Sequence, residues 1–270
     1  MKEADILHTI DPSQKIIDFH AHVFPQPIAQ KATDNVGSYY GLRMQAVGMA
    51  QQLLTRAAGL NMQGFVIHSS ATKSAQVEKV NDFIAGLVRE NPVFIGFGTI
   101  HKDYDNPERE IQRCIMLGLR GLKLHPDFQH FELDQKEMFP IYQIASDLGL
   151  PILFHVGDKN TDASSPARVR RVLDLFPRLK VIAAHMGGYS AWDEAMDCLY
   201  GRNVYFDTSS TMIVLPHKKV REMIYRHGVE KILFGSDFPI QTTPAAAMDI
   251  EHLELPPADK ELIYHQNRCV

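Results

Sequence analysis

Cysteine is scarce in this 270-residue chain: Cys114, Cys198 and Cys269 are odd in number and show no CxxC spacing. That pattern excludes a disulfide framework and a thiolate zinc site, so all three are expected to be buried, inert thiols. Excess positive charge is also missing. With 28 Lys and Arg against 32 Asp and Glu, the net charge of -4 offers no basic field for nucleic acid or an anionic membrane. No glycine-rich phosphate loop follows the first β-like run, which continues as HAHVFPQP, and this argues against an open dinucleotide-binding sheet. The leader MKEADILHTIDPSQK carries acidic residues and no apolar segment, so neither a signal peptide nor a membrane anchor is expected, and a cytoplasmic enzyme fits. No Ser/Gly/Pro linker, charge block or sequence repeat divides the chain. A single domain over residues 1–270 is the expectation.

What is present is enough apolar material for a large core, at 45% hydrophobic residues, arranged in short β-rich runs. The runs are 15–22, 64–70, 93–101, 121–126, 151–157, 180–188, 203–210 and 231–239, with amphipathic stretches such as 135–149 and 166–176 between them. Eight largely apolar strands alternating with helices are the pattern of parallel strands buried on both faces. A (β/α)8 TIM barrel is the expected fold, and its active site belongs at the carboxyl ends of the strands.

Those ends are rich in histidine. IIDFHAHVFP places Asp18, His20 and His22 on one face of the first strand, since alternate residues of a strand share a face. His68, His101, His125, His155 and His185 stand at the ends of the second to sixth runs, and Asp237 at the end of the eighth. Imidazoles and a carboxylate are donors that zinc, manganese and iron accept, and zinc lowers the pKa of bound water to about 7. Asp237 either binds such an ion or takes a proton from its water. His68 and His101 are weaker candidates, read first as strand caps bonded to backbone.

HAH on strand 1, FHVGD on strand 5, AAHMGG on strand 6 and FGSDFP on strand 8 resemble the amidohydrolase superfamily. More narrowly, they resemble its second amidohydrolase family, which includes aminocarboxymuconate-semialdehyde decarboxylase and related hydrolases and hydratases; the segment around Asn267 also fits. The resemblance implies that His20, His22 and His155 bind one divalent metal ion, zinc first and manganese second, and that Asp237 completes the site. It implies that His185 is the acid/base or substrate-orienting residue, with ligation of a second ion as the other reading. Binuclear members place a carboxylated lysine or a glutamate on strand 4, where this chain has Lys123. Lys123 and His125 are otherwise candidates for holding a substrate carboxylate or for a polar core network.

Two connections carry further expectations. Residues 23–44 carry aromatic and flexible residues and are read as covering the metal and shaping the pocket. In SSPAR, Ser165 is read as the cap of a helix starting at Pro166, with Arg168 or Arg170 available to an anionic substrate and a solvated helix face as the plainer reading. Asp18 is expected to fix an imidazole tautomer or balance Lys123. Tyr189 and Trp192 either line the pocket or pack the core.

The expected function is metal-dependent hydrolysis of a small molecule. Non-oxidative decarboxylation of a small carboxylated substrate is the alternative, and a non-catalytic binding barrel a distant third. No nucleic-acid or membrane partner is expected, and a homodimer is a candidate assembly.

Overall fold

The structure is a computed structural model and describes residues 9–267. Most of the leader and Cys269 therefore lie outside the described residues. Eight strands follow one another in sheet order: β1 Lys15–His22, β2 Asn61–His68, β3 Phe94–Gly98, β4 Gly121–Leu124, β5 Ile152–Phe154, β6 Val181–Ala183, β7 Tyr205–Asp207 and β8 Ile232–Leu233. Helices alternate with them, and the fold is the (β/α)8 barrel expected from the repeat. No described helix is long and apolar enough to cross a membrane.

Chain contacts divide the molecule into two compact units. One runs from the first described residue to Ile67 and resumes at Thr208; the other is His68–Asp207.

In the first unit β1 is buried on both faces, with Ile16, Phe19 and Ala21 packed as tightly as Asp18 and His20. Its partner strand is short, because the hydrogen bonding of β8 continues past Leu233 through single contacts. Phe19 N–H donates to Phe234 O at 2.8 Å, Asp237 N–H to His20 O at 2.9 Å and His22 N–H to Phe238 O at 2.7 Å. These bonds set Asp237 beside the two histidines. Asn267 anchors the base of β8, its amide donating to Val229 O and Ile232 O at 2.7 Å each. Residues 23–44, expected to cover the metal, are mainly regular helix, Gln26–Tyr40, ended by Gly41 at φ 67°. The reason is local: Pro27 suits a first helical turn, and Gly41 takes the left-handed conformation that stops a helix.

In the second unit β3 to β7 pair in parallel, with Gly98 opposite Leu122, Leu124 opposite Phe154, Phe154 opposite Ala183 and Ala183 opposite Phe206. Every residue of β4, Lys123 included, is buried. The helix Pro166–Leu175 starts as expected, but the Ser165 side chain makes no capping bond. Glu194 Oε1 accepts from the Ala167 amide at 3.1 Å and does that work instead. The thiol of Cys114 is buried as expected, while Cys198 is only partly so.

Candidate metal centre

In the first unit, Nε2 of His20 lies 3.1 Å from Nε2 of His22, and Oδ1 of Asp237 is 3.4 Å from the former and 3.3 Å from the latter. Two imidazole nitrogens and a carboxylate oxygen at this spacing repel unless a proton or a cation sits among them. A tetrahedral ion with bonds of about 2.05 Å separates its donor atoms by about 3.4 Å, and an octahedral one by about 3.0 Å. The three atoms therefore fit the edges of a coordination polyhedron. His20 and Asp237 are buried, and His22 is the member that reaches solvent.

The surroundings hold each donor in place. Ser209 Oγ lies 3.1 Å from His20 Nδ1, which suits a ring whose Nδ1–H is donated and whose Nε2 keeps its lone pair. The Ser210 hydroxyl donates to Asp237 Oδ2 at 2.5 Å, so the two carboxylate oxygens have separate tasks. Asp237 and Ser210 both have left-handed backbone, at φ 61° and 52°, which turns their side chains together where a continuing strand would alternate them. Asp18 was expected to act on an imidazole or on Lys123. It instead accepts from the amides of His20 and Ser236 at 3.1 and 3.0 Å and from the Thr243 hydroxyl at 2.9 Å. Burial pushes its carboxyl up to about 6, against these bonds and one from the Ser236 hydroxyl.

In the second unit, His155 Nδ1 and His185 Nε2 lie 3.0 Å apart with their rings edge to face. The contact admits either one shared proton or two lone pairs directed at a common cation. The backbone of His185 is clamped from both sides: its N–H donates to Asp207 Oδ1 at 3.0 Å, and its carbonyl accepts from Trp192 Nε1 at 2.9 Å. His185, Met186 and Gly187 are all left-handed, at φ 60°, 52° and 81°. A Cβ on Gly157 would stand 2.3 Å from the carbonyl oxygen of Tyr189, so that residue must be glycine for the turn after His185 to pack. Trp192 thus serves the site by holding His185, and Tyr189 lies edge to face against the His185 ring.

His125 stacks between Phe128 and His155, 4.0 Å from each ring with 7° between planes. Its Nδ1 accepts from the Phe128 amide at 3.4 Å, which leaves Nε2–H as a donor. Asp127, two residues on, is buried with Oδ2 3.8 Å from His125 Nδ1, and it accepts from the hydroxyls of Thr161 and Ser164. Burial raises its pKa above the ordinary carboxylate range.

The weaker candidates sort differently. His101 Nδ1 accepts from the Asp103 amide at 3.2 Å, the strand-cap role foreseen for it, and His68 is fully buried at the end of β2. Arg168 is engaged by carboxylates: Glu132 at 2.8 Å, Asp134 at 2.5 Å and Asp162 at 3.0 Å. Its charge is already balanced. Four residues of these surroundings, Asp127, Asp207, Ser209 and Ser210, were passed over in the sequence, although Asp127 directly follows a β-rich run and the other three lie in the second half of the run 203–210.

Residues 17–267 match the amidohydrolase family. A stretch of 79 residues is 35% identical to 2-amino-3-carboxymuconate-6-semialdehyde decarboxylase of Dictyostelium discoideum, covering 28% of this chain and only 22% of that protein. Gamma-resorcylate decarboxylase of a Polaromonas species is 22% identical over 253 residues, 73% of this chain and 76% of the relative. Among solved structures, an uncharacterised TIM-barrel protein from Bordetella bronchiseptica superposes with a TM-score of 0.77 at 19% identity, covering 94% of this chain and 96% of its own. A dihydroxybenzoic acid decarboxylase from Polaromonas sp. JS666, with bound manganese and the inhibitor 2-nitroresorcinol, gives 0.72 at 19% identity over 94% and 95% of the two chains. The family match spans nearly all the described residues, and the chain belongs to the amidohydrolase family.

Proposed function

We propose that this protein is a metal-dependent decarboxylase of a small carboxylated molecule, using one divalent ion, zinc or manganese, for which His20, His22 and Asp237 supply donors. The convergence of His20 Nε2, His22 Nε2 and Asp237 Oδ1 within 3.4 Å carries the reading. The named relatives support decarboxylation better than the hydrolysis expected from the sequence, since both curated ones are decarboxylases. Manganese in a relative of the same fold supports a divalent ion without choosing between metals.

When bound, the ion supplies a Lewis acid that holds substrate oxygens and draws electron density towards them. The remaining work falls to side chains. His125, its ring fixed by stacking against Phe128 and His155, donates to the substrate carboxylate, and the buried Lys123 adds positive charge two residues before it on the chain. His185, clamped by Asp207 and Trp192, orients the substrate. Asp237 gives a proton to the carbon that bears the carboxylate, the carbon–carboxylate bond breaks, carbon dioxide leaves, and a solvent proton restores Asp237. A hydroxyaromatic or unsaturated acid suits this step, because its carbon accepts the proton before the bond breaks.

The test is a panel of hydroxybenzoates and unsaturated carboxylates offered to metal-loaded and chelator-treated protein, with carbon dioxide measured. Release that depends on metal is expected. Turnover of lactones or amides with no carbon dioxide from any acid would overturn the reading.

A further inference from the structure

A second group of metal-type donors, His217, Asp249 and His252, takes no part in the chemistry above. His217 opens the helix His217–His227, and Asp249 and His252 stand three apart near the end of the helix Thr243–His252, a spacing that puts them on one face. Asp249 Oδ1 is 3.4 Å from His217 Nε2, the same separation as in the proposed catalytic centre. Its other oxygen accepts from Gln241 Nε2 at 2.8 Å, which fixes the carboxylate with Oδ1 towards His217. The two imidazoles meet edge to face, 5.5 Å between centroids. One donor atom from each of the three lies within 4.8 Å of the others, and His252 is exposed.

We propose that His217, Asp249 and His252 bind one borderline divalent cation, zinc by class, with water in the remaining position. Two imidazoles and one carboxylate favour zinc, copper or nickel over magnesium and calcium, which prefer all-oxygen surroundings. Gln241 is to Asp249 what an outer hydrogen-bond partner is to a metal ligand: it sets the orientation before the ion arrives. The 3.4 Å between His217 Nε2 and Asp249 Oδ1 matches the edge of a zinc tetrahedron, about 3.4 Å, and the exposed His252 supplies the third donor. Lys218 and Arg221 line the same surface hollow, together with Glu222 and Tyr225. Glu222 and the neighbouring Glu254 offset the charge of Lys218 and Arg221, and with three protein donors and His252 exposed the affinity is expected on the order of micromolar, well below that of closed structural zinc sites. The ion bridges two helices and clips them together, independently of the reaction proposed above.

Equilibrium dialysis against zinc tests this on the full chain, with its catalytic metal loaded and excess removed. One further equivalent is expected in the wild type, at least tenfold weaker in both His217→Ala and His252→Ala, and unaffected by excess magnesium. Absence of the further equivalent, or its survival unchanged in both variants, overturns the proposal. Copper(II) loaded in place of this zinc supplies a second reading through its electron paramagnetic resonance. Coupling to two imidazole nitrogens is expected, falling to one in His252→Ala, and a spectrum that the substitution leaves unaltered overturns the assignment. Both variants change surface side chains, and circular dichroism melts establish that they fold.

Discussion

The hydroxyl of Ser209 lies 3.1 Å from Nδ1 of His20, on the side of the ring away from the nitrogen that meets Asp237. Through this contact a residue that touches no ion in the proposed centre sets which nitrogen of His20 is available. Ser209→Ala is therefore expected to weaken binding of the catalytic metal by about 10- to 100-fold while leaving the fold intact. Chelator competition measures it, and an unchanged affinity would remove Ser209 from the account.

Asp237→Asn keeps the size of the side chain and one oxygen for the Ser210 hydroxyl, but carries no transferable proton. Turnover is expected to fall by about 10² or more, with the melting temperature little altered. Steady-state kinetics beside a thermal melt separate the two effects. Full activity in this variant would contradict the assignment of proton transfer to Asp237.

Arg168 is held by Glu132, Asp134 and Asp162 and is only 14% exposed, so its removal is a structural loss. Arg168→Ala is expected to cost about 1–2 kcal/mol of stability, because Asp134 keeps Arg171 as a partner. The ratio kcat/KM should stay within about twofold of wild type. A large rise in KM with unchanged stability would restore Arg168 as a substrate ligand.

Burial pushes the Cys114 thiol up to about 12, with the Glu110 carboxylate adding to the effect. An unfolded thiol titrates near 9, so the folded state holds this proton longer. The stabilisation from the group is complete below about pH 9 and is lost as pH rises from there towards 12. Native Cys114 is expected to resist a thiol reagent at pH 8 and to react once the chain is denatured. Mass mapping of the labelled cysteines reads this directly, and rapid native labelling at Cys114 would contradict it.

The body of the fold was legible because parallel strands buried on both faces leave apolar runs at a regular spacing. β1 spans the expected residues 15–22, and its alternation correctly put His20 and His22 on one face. Strand ends were less legible. The runs at 180–188, 203–210 and 231–239 contain strands of three, three and two residues. The chain turns where His185, Ser210 and Asp237 adopt left-handed backbone, and hydrophobic pattern carries no signal for that. Ser210 was missed for the same reason, and Asp207 and Ser209 because attention at strand ends went to histidines, although the rule applies equally to acids and hydroxyls there. Asp127 was hidden inside a helix start, Pro126–Gln129, whose proline marks a turn and says nothing of the carboxylate beside it.

The central claim is that this centre transfers a proton to carbon and releases carbon dioxide. The most direct test is to turn over an active acid from the panel in D2O and, separately, in H2(18)O, with the product analysed by mass spectrometry. The account predicts one deuterium on the carbon that carried the carboxylate, one equivalent of carbon dioxide, and no solvent oxygen in the organic product. Solvent oxygen in that product without carbon dioxide release would contradict the account and identify hydrolysis.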